Sequence, residues 1–376
     1  MKTISARQFA IVMAVGYIAL CLFEFPRVLV TYADRDAIWA LLFLTLTFSG
    51  FLFLNLRIAQ LRPHEPAGAS LRYYLGLPGA LVARSMRILA HTGLAVVCLA
   101  NFGLVMKTFF LPQTPPLAID IAVLAAAVSM AWGGAAGLAR TVEIFALPAV
   151  VITTAIAILT GSEIRYPWAA IPPGQFHILW ILSGSYHTLF LFVGLDIVTD
   201  LFPYVLPEQR PRAVRAAHWM FVGMGLWFMF GLLITIATTG PFAISHIVWP
   251  PVSAMRLADV RGFLINKLGL LIIVLWGLFV QGFMATRLWG LAQGLSWYQW
   301  TPKPAFRYHG GLIAFSAIIL LISAQFPNVA VLEQFIENLA IPLFFIYMVT
   351  FPLLIGAGWL VRRWQSRRAA GAPTPS

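Results

Sequence analysis

Cysteine is almost absent: Cys21 and Cys98 are the only two in 376 residues. Both fall inside long apolar runs, so neither a disulfide framework nor a thiolate zinc site is expected. Acidic residues are nearly as scarce. Thirteen Asp and Glu stand against 25 Lys and Arg, and charged residues make up 10% of the chain, where a soluble domain carries about a quarter. HExxH, GxSxG and phosphate-loop patterns are missing, as is any compact acidic cluster. These absences argue against an enzyme and against a resident metal; no cofactor is expected.

What fills the space instead is apolar. Hydrophobic residues make up 60% of the sequence and mean hydropathy is +0.86, which places the chain among polytopic, all-α membrane proteins. A helix needs about 20 apolar residues to cross about 30 Å of hydrocarbon. Ten segments qualify, at approximately 8–32, 36–58, 84–110, 117–137, 140–160, 176–203, 214–239, 262–290, 309–325 and 334–361. The short connections leave no room for a soluble domain, so residues 1–361 form one membrane domain. Residues 362–376, basic and then rich in Pro, Ala and Ser, are expected to be a disordered tail. Cys21 invites a lipoprotein reading, but Leu20 before it is not small and the apolar run continues to Tyr32, so this run is expected to be the first membrane helix, retained.

Most Lys and Arg, from Lys2 and Arg7 through Arg84, Arg87, Arg140 and Arg287 to Arg368, fall on one side if the N-terminus is cytoplasmic. Both termini are then expected inside. The net charge of +12 is accounted for by this topology and by contact with the lipid bilayer and its anionic headgroups; nucleic acid is not an expected partner.

Ten spans divide five and five, as two inverted repeats at about 8–160 and 176–361. Such a repeat pairs the first span with the sixth, and both carry a weak point: Gly16-Tyr17-Ile18-Ala19 in the first and Ser183-Gly184-Ser185-Tyr186 in the sixth. Unwound backbone at membrane depth survives only where it is buried or lines a cavity. Paired breaks therefore mark a midplane site where freed N–H and C=O groups hold a small polar ligand. The alternative for these small residues is kinking with close helix packing. The test of the cradle is Gly184→Leu, expected to abolish ligand response without preventing insertion.

Several motifs occur in a recognisable order: Ile4-Ser5-Ala6-Arg7-Gln8, Pro26-Arg27, Asp36-Ala37-Ile38-Trp39 and Leu111-Pro112-Gln113-Thr114-Pro115. They continue with Ala139-Arg140-Thr141-Val142-Glu143-Ile144, Gly194-Leu195-Asp196, Trp249-Pro250 and Phe326-Pro327-Asn328. Together they give the chain a resemblance, over nearly its whole length, to the spore germination permease family, the B-type subunit of nutrient germinant receptors. That family lies within the amino acid, polyamine and organocation transporter superfamily. The resemblance implies a LeuT-like 5+5 arrangement with broken helices 1 and 6, the inner membrane of a spore, and A-type and lipoprotein C-type partner subunits. Gly194-Leu195-Asp196 departs from the Gly-Phe-Glu type of sequence expected there, keeping the acid but shortening it.

The ligand, a small nutrient such as an amino acid, is expected at Gly16, Tyr17, Ile18, Ser183, Gly184, Ser185 and Tyr186. Asn101 and Gln281 lie on the third and eighth helices, which flank the pocket in this superfamily. Asp196 and Asp200, four apart on one helix face, are candidates for gating or ion coupling through Arg140 or Arg215, with a structural ion pair as the alternative. Arg140 and Glu143, and likewise Glu24 and Arg27, are three apart and expected to satisfy one another locally. His91 and His187 are expected to be hydrogen-bonded within the bundle. Two functions share this site: a germinant sensor that signals to partner subunits, and a secondary amino acid transporter coupled to H⁺ or Na⁺.

Overall fold

The computed structural model describes residues 3–65, 67–161, 164–167, 176–257, 268–296 and 304–370. Apart from a single parallel bridge between Ile4 and Val205, every regular element among them is helical. Seven helices are long and apolar enough to cross a membrane, or eight when one bent pair is taken as a single span; two further apolar helices are shorter. The chain is a multi-pass membrane protein. Side chains such as Leu46, Ile144, Leu179 and Leu321 stand on its outer surface, where hydrocarbon rather than water is the neighbour.

Helix α1 (Ala6–Cys21) starts at a capping box: Ser5 Oγ accepts from the Gln8 amide, and Gln8 Oε1 accepts from the Ser5 amide. Its end is latched to a distant part of the chain. Ile4 N–H donates to Tyr204 O (2.9 Å), Leu206 N–H to Ile4 O (3.1 Å) and Ala6 N–H to Gln209 Oε1 (3.0 Å). After a turn at Leu22–Glu24, α2 (Phe25–Ala33) continues to the opposite face, and α3 (Ala37–Leu61) returns.

Helix α4 (Ala67–Phe109) contains Gly76 at φ +67°, a left-handed conformation that suits glycine, two residues before Pro78. The segment before Gly76 is thereby kinked relative to the rest of the helix. Helices α5 (Pro116–Trp132) and α6 (Gly134–Thr160) complete the first half.

In the second half, α7 (Ile178–His187) gives way to a 3₁₀ stretch (Leu189–Ile197) and the short α8 (Val198–Leu201), the chain bending by 52°. Then come α9 (Arg210–Thr239), two short helices α10 (Pro241–His246) and α11 (Pro250–Leu257), α12 (Leu268–Ser296), α13 (Pro304–Ser323), and α14 (Val329–Phe335). A π-turn at Ile336–Ala340 leads into α15 (Ile341–Ala370), which runs past residue 361, the expected end of the membrane domain.

Two expectations need correction. Helix α1 is continuous through Gly16, Tyr17 and Ile18, and its break comes at Leu22–Glu24. Helix α7 is likewise continuous through Ser183, Gly184, Ser185 and Tyr186, and the departure begins at Thr188. The glycines are where backbones touch. A Cβ on Gly16 would lie 2.6 Å from Gly194 Cα, and one on Gly194 would lie 2.5 Å from the Met13 carbonyl oxygen. Small residues thus let α1 and the 3₁₀ stretch cross in backbone contact.

Candidate functional site

Each broken helix leaves carbonyls that a membrane interior must satisfy. At the end of α1, Ala19 O accepts from Trp276 Nε1 at 2.9 Å, and the Cys98 thiol lies 4.0 Å from the same oxygen. The Trp276 ring packs against Phe23 and Phe102, with centroids 4.8 and 5.1 Å away. On the other break, Thr188 Oγ1 donates to Gly184 O (2.7 Å), and Arg287 Nη2 donates to Val193 O (3.1 Å).

Glu24, the last residue of the α1–α2 turn, is buried. It accepts from Trp249 Nε1 at 3.2 Å, with Asn101 of α4 beside it. It lines a cavity, shared with Arg27, Tyr32, His187, Glu333 and Glu337, that opens on the face opposite the N-terminus. Around that cavity Arg27 pairs with Glu333, Tyr32 OH donates to Glu337 Oε1 (2.7 Å), and the Tyr32 and His187 rings stack at 3.6 Å and 4°. His187 Nδ1 lies 2.8 Å from Ser183 O. Three carboxylates against one guanidinium make the cavity suited to a cation such as an ammonium group.

A second constellation lies nearer the N-terminal face. Asp196 Oδ2 accepts from Arg287 Nη1 at 2.5 Å and lies 2.9 Å from His91 Nε2, all three side chains being about 1% exposed. The Arg287 guanidinium also sits 4.7 Å over the Phe283 ring. One turn further along, Asp200 pairs with Arg87 of α4. Asp196 and Asp200 thus tie the broken seventh helical segment to α4 and α12.

The expected site residues are distributed unevenly over this geometry. Asn101 stands at the α1–α2 break beside Glu24. Tyr17 and Ile18 are fully buried, the Tyr17 ring edge-on to Phe192 and Phe221. Gly184 faces Ala33 and Ala40, with a Cβ there starting 2.7 Å from Ala33 Cβ; Gly184→Leu therefore prises α7 from α2 and α3. Ser185 Oγ lies 2.7 Å from Ile181 O and 2.9 Å from Ala40 O, bridging α7 to α3. Tyr186 is half-buried, edge-on to Phe345, and Gln281 is half-buried on α12.

Four pairings differ from expectation. Asp196 and Asp200 take Arg287 and Arg87 in place of Arg140 or Arg215. Glu143 pairs with Arg7 (3.1 Å) and accepts from Gln8 Nε2 (2.9 Å), joining α6 to α1, while Arg140 is exposed. Glu24 and Arg27 turn to Trp249 and Glu333 rather than to each other. Arg287, counted above among the cytoplasmic cations, is 1% exposed in the middle of the bundle. Its position inside the apolar run 268–296 was the signal, since an ionisable residue inside a span marks a functional site by default.

The model of a family described as spore germination protein matches residues 3–329. The chain belongs to the spore germination permease family. It is therefore a permease-like membrane protein, and the match takes in both broken helices, α12 and the start of α14. No curated protein matches the chain in sequence.

Among solved structures, this spore germination permease is similar to a Na⁺-coupled sialic acid symporter in a substrate-bound, outward-open state. The TM-score is 0.62 at 11% identity, over 93% of this chain and 79% of that one. It is also similar to Mhp1, a nucleobase-cation-symport-1 family transporter in a closed conformation with bromovinylhydantoin bound, with TM-score 0.55 at 16% identity over the same shares. Both neighbours have the LeuT fold, and the family and its neighbours are permeases rather than enzymes.

Proposed function

We propose that this permease is the nutrient-binding subunit of a germinant receptor, that its ligand is an amino acid, and that it signals to A-type and C-type subunits. The observation that carries the reading is Glu24: a buried carboxylate at a helix break, held by Trp249, at the wall of an acidic cavity. An α-ammonium group entering from the Tyr32–His187 stack meets Glu24 at the α1–α2 break. Gly16, Tyr17, Ile18, Ser183, Gly184, Ser185 and Tyr186 support this site through packing, with Gln281 on the flanking α12.

In this reading the chain crosses the membrane ten times, by α1–α2, α3, α4, α5, α6, α7–α8, α9, α12, α13 and α14–α15, as two inverted repeats of five. Both termini are cytoplasmic and the membrane is the inner one of the spore. The pairs Asp196–Arg287 and Asp200–Arg87 close the cytoplasmic side. Ligand binding signals only if it favours one state of the bundle over the other, and a swing from 1:99 to 99:1 takes about a 10⁴-fold difference in affinity.

Glu24→Gln keeps the shape and removes the charge. Losing a hydrogen bond to a charged group costs about 1.5–3 kcal/mol, so the nutrient concentration for half-maximal germination is expected to rise about 10- to 100-fold. An unchanged concentration would remove Glu24 from the site.

The cation-coupled functions named for both structural neighbours favour a second reading, a secondary amino acid transporter driven by H⁺ or Na⁺. Spores lacking the gene, scored against a panel of single nutrients, separate the two. Loss of germination with normal uptake of the labelled nutrient marks a sensor; lost uptake with normal germination marks a carrier.

A further inference from the structure

Asp120 is the one acid in the apolar run 117–137, and it takes a core position there. It lies on the buried stripe of α5 with Val123, Leu124, Ala127 and Ala131, at i, i+3, i+4, i+7 and i+11, and is itself 3% exposed. Among the described residues, its one side-chain partner is the last residue of α13. Ser323 Oγ lies 3.2 Å from Asp120 Oδ2 and 3.0 Å from Leu320 O. Asp120 Oδ1 is buried with no hydrogen-bond partner. It rests against α4 at Gly103, where a Cβ would come within 2.6 Å of that oxygen.

The number of protons at this junction decides how well it is satisfied. A serine hydroxyl has one hydrogen to give and can also accept. With Asp120 ionised, that hydrogen is shared between the carboxylate and Leu320 O, and Oδ1 stays bare. With Asp120 protonated, its O–H donates to Ser323 Oγ and Ser323 donates to Leu320 O, so no charge is left buried. Among the described residues, no cation pairs with Asp120. Of the charged groups on the helices packed against α5, Lys107 of α4 shares its end of the bundle and is exposed. The others lie toward the N-terminal face. Arg84, Arg87 and His91 of α4 and Arg287 of α12 stand around Asp196 and Asp200, and Arg140 and Glu143 of α6 lie by Arg7. Arg307 and His309 of α13 are at the far end of α5, where the His309 ring stacks on Trp132 at 4.1 Å. A buried carboxylate isolated in this way takes up a proton rather than remain charged.

We propose that Asp120 is a proton-binding site: its carboxyl group carries a proton while α4, α5 and α13 are packed together, and release of that proton to water on the face opposite the N-terminus loosens their junction. An ionisable residue inside a span marks a functional site by default. The way to water is short, since Asp120 is in the second turn of α5, Gly103 is near the end of α4 and Ser323 ends α13. On release, the electron pair of the O–H bond stays on the carboxylate, the proton passes to water, and the Ser323 hydroxyl turns from Leu320 O to the new anion. The site is separate from the Glu24 cavity and does not rest on the nutrient reading.

The test is infrared difference spectroscopy of the purified full-length protein in phosphatidylcholine nanodiscs at neutral pH, unsubstituted against Asp120→Asn. The variant should lose a protonated-carboxyl band; loss of a carboxylate band instead would overturn the proposal. Asparagine reproduces the neutral acid, its amide donating to Ser323 Oγ, so the variant should fold. Thermal melting of the same samples reads the effect on packing. A proton held only in the packed state makes stability fall as pH rises, so the unsubstituted protein should lose about 2 °C of melting temperature per pH unit more than Asp120→Asn does. Asp34→Asn, an exposed acid on the same face, should keep both the band and the slope. Equal slopes for Asp120→Asn and the unsubstituted protein, or the same loss of band in Asp34→Asn, would count against the site. So would stabilisation by sodium chloride over choline chloride that disappears in Asp120→Asn, which would give the site to a metal cation. Carboxyl-labelled aspartate in the unsubstituted protein provides the reading without a variant: Asp196 and Asp200 are ion-paired, and the absence of any label-shifted protonated band would exclude a proton on Asp120.

Discussion

Arg287→Met is expected to destabilise the protein by about 3–5 kcal/mol, because it leaves the Asp196 carboxylate buried without its counter-ion. Asp196→Leu should cost a similar amount for the mirror reason, leaving the guanidinium with only Val193 O and His91. The double variant, Asp196→Leu with Arg287→Met, replaces the pair by apolar groups of similar size and should regain most of the loss. Melting temperature in detergent and the amount of protein accumulated in the membrane both report it. A double variant as unstable as either single one would show that the two charges are not acting on each other. A stable double variant is also the cleanest probe of the proposed closure, since it folds without the ion pair: its nutrient response should be lost, or should no longer require nutrient.

Gly194→Ala should be nearly as damaging, although it adds a single methyl group. The new carbon begins 2.5 Å from the Met13 carbonyl oxygen and 2.8 Å from the Tyr17 ring. Backbone cannot rotate out of the way as a side chain can, so α1 and the 3₁₀ stretch must separate, and overpacking of this kind costs about 1–3 kcal/mol or more. Gly16→Ala meets Gly194 Cα at 2.6 Å and should behave alike. Gly223→Ala, on an open face of α9 with no atom within 4 Å, is the control and should be neutral or slightly stabilising. Equal melting temperatures for Gly194→Ala and Gly223→Ala would mean that the crossing is looser than described.

Hydropathy was enough to locate most membrane helices to within a few residues, because an apolar stretch of that length has few alternatives to spanning as a helix. The breaks were not legible in it. Gly16 and Gly184 mark places where other helices come close, a tertiary fact that mimics a local weakness in sequence. The true turn at Leu22–Glu24 depends on Trp276, Trp249 and Asn101, which arrive from remote segments. Ion partners failed for the same cause. Local spacing paired Arg140 with Glu143 and Glu24 with Arg27, whereas three-dimensional packing brings Arg7 to Glu143 and Glu333 to Arg27. Counting Arg287 among the cytoplasmic-side cations followed a rule that describes average topology, and the exception is a residue buried against Asp196.

The latch at the start of α1 also bears on how the chain is made. Ala6 and its acceptor Gln209 are 203 residues apart, so the first helix enters the bilayer long before its partners leave the ribosome. Until synthesis passes residue 209, the amides of Ile4 and Ala6 lack their native acceptors. The amino-terminal end therefore remains provisional during the first half of translation and is completed only when the second half closes on it. Nascent chains stalled before and after that point should differ in protease sensitivity at residues 3–6.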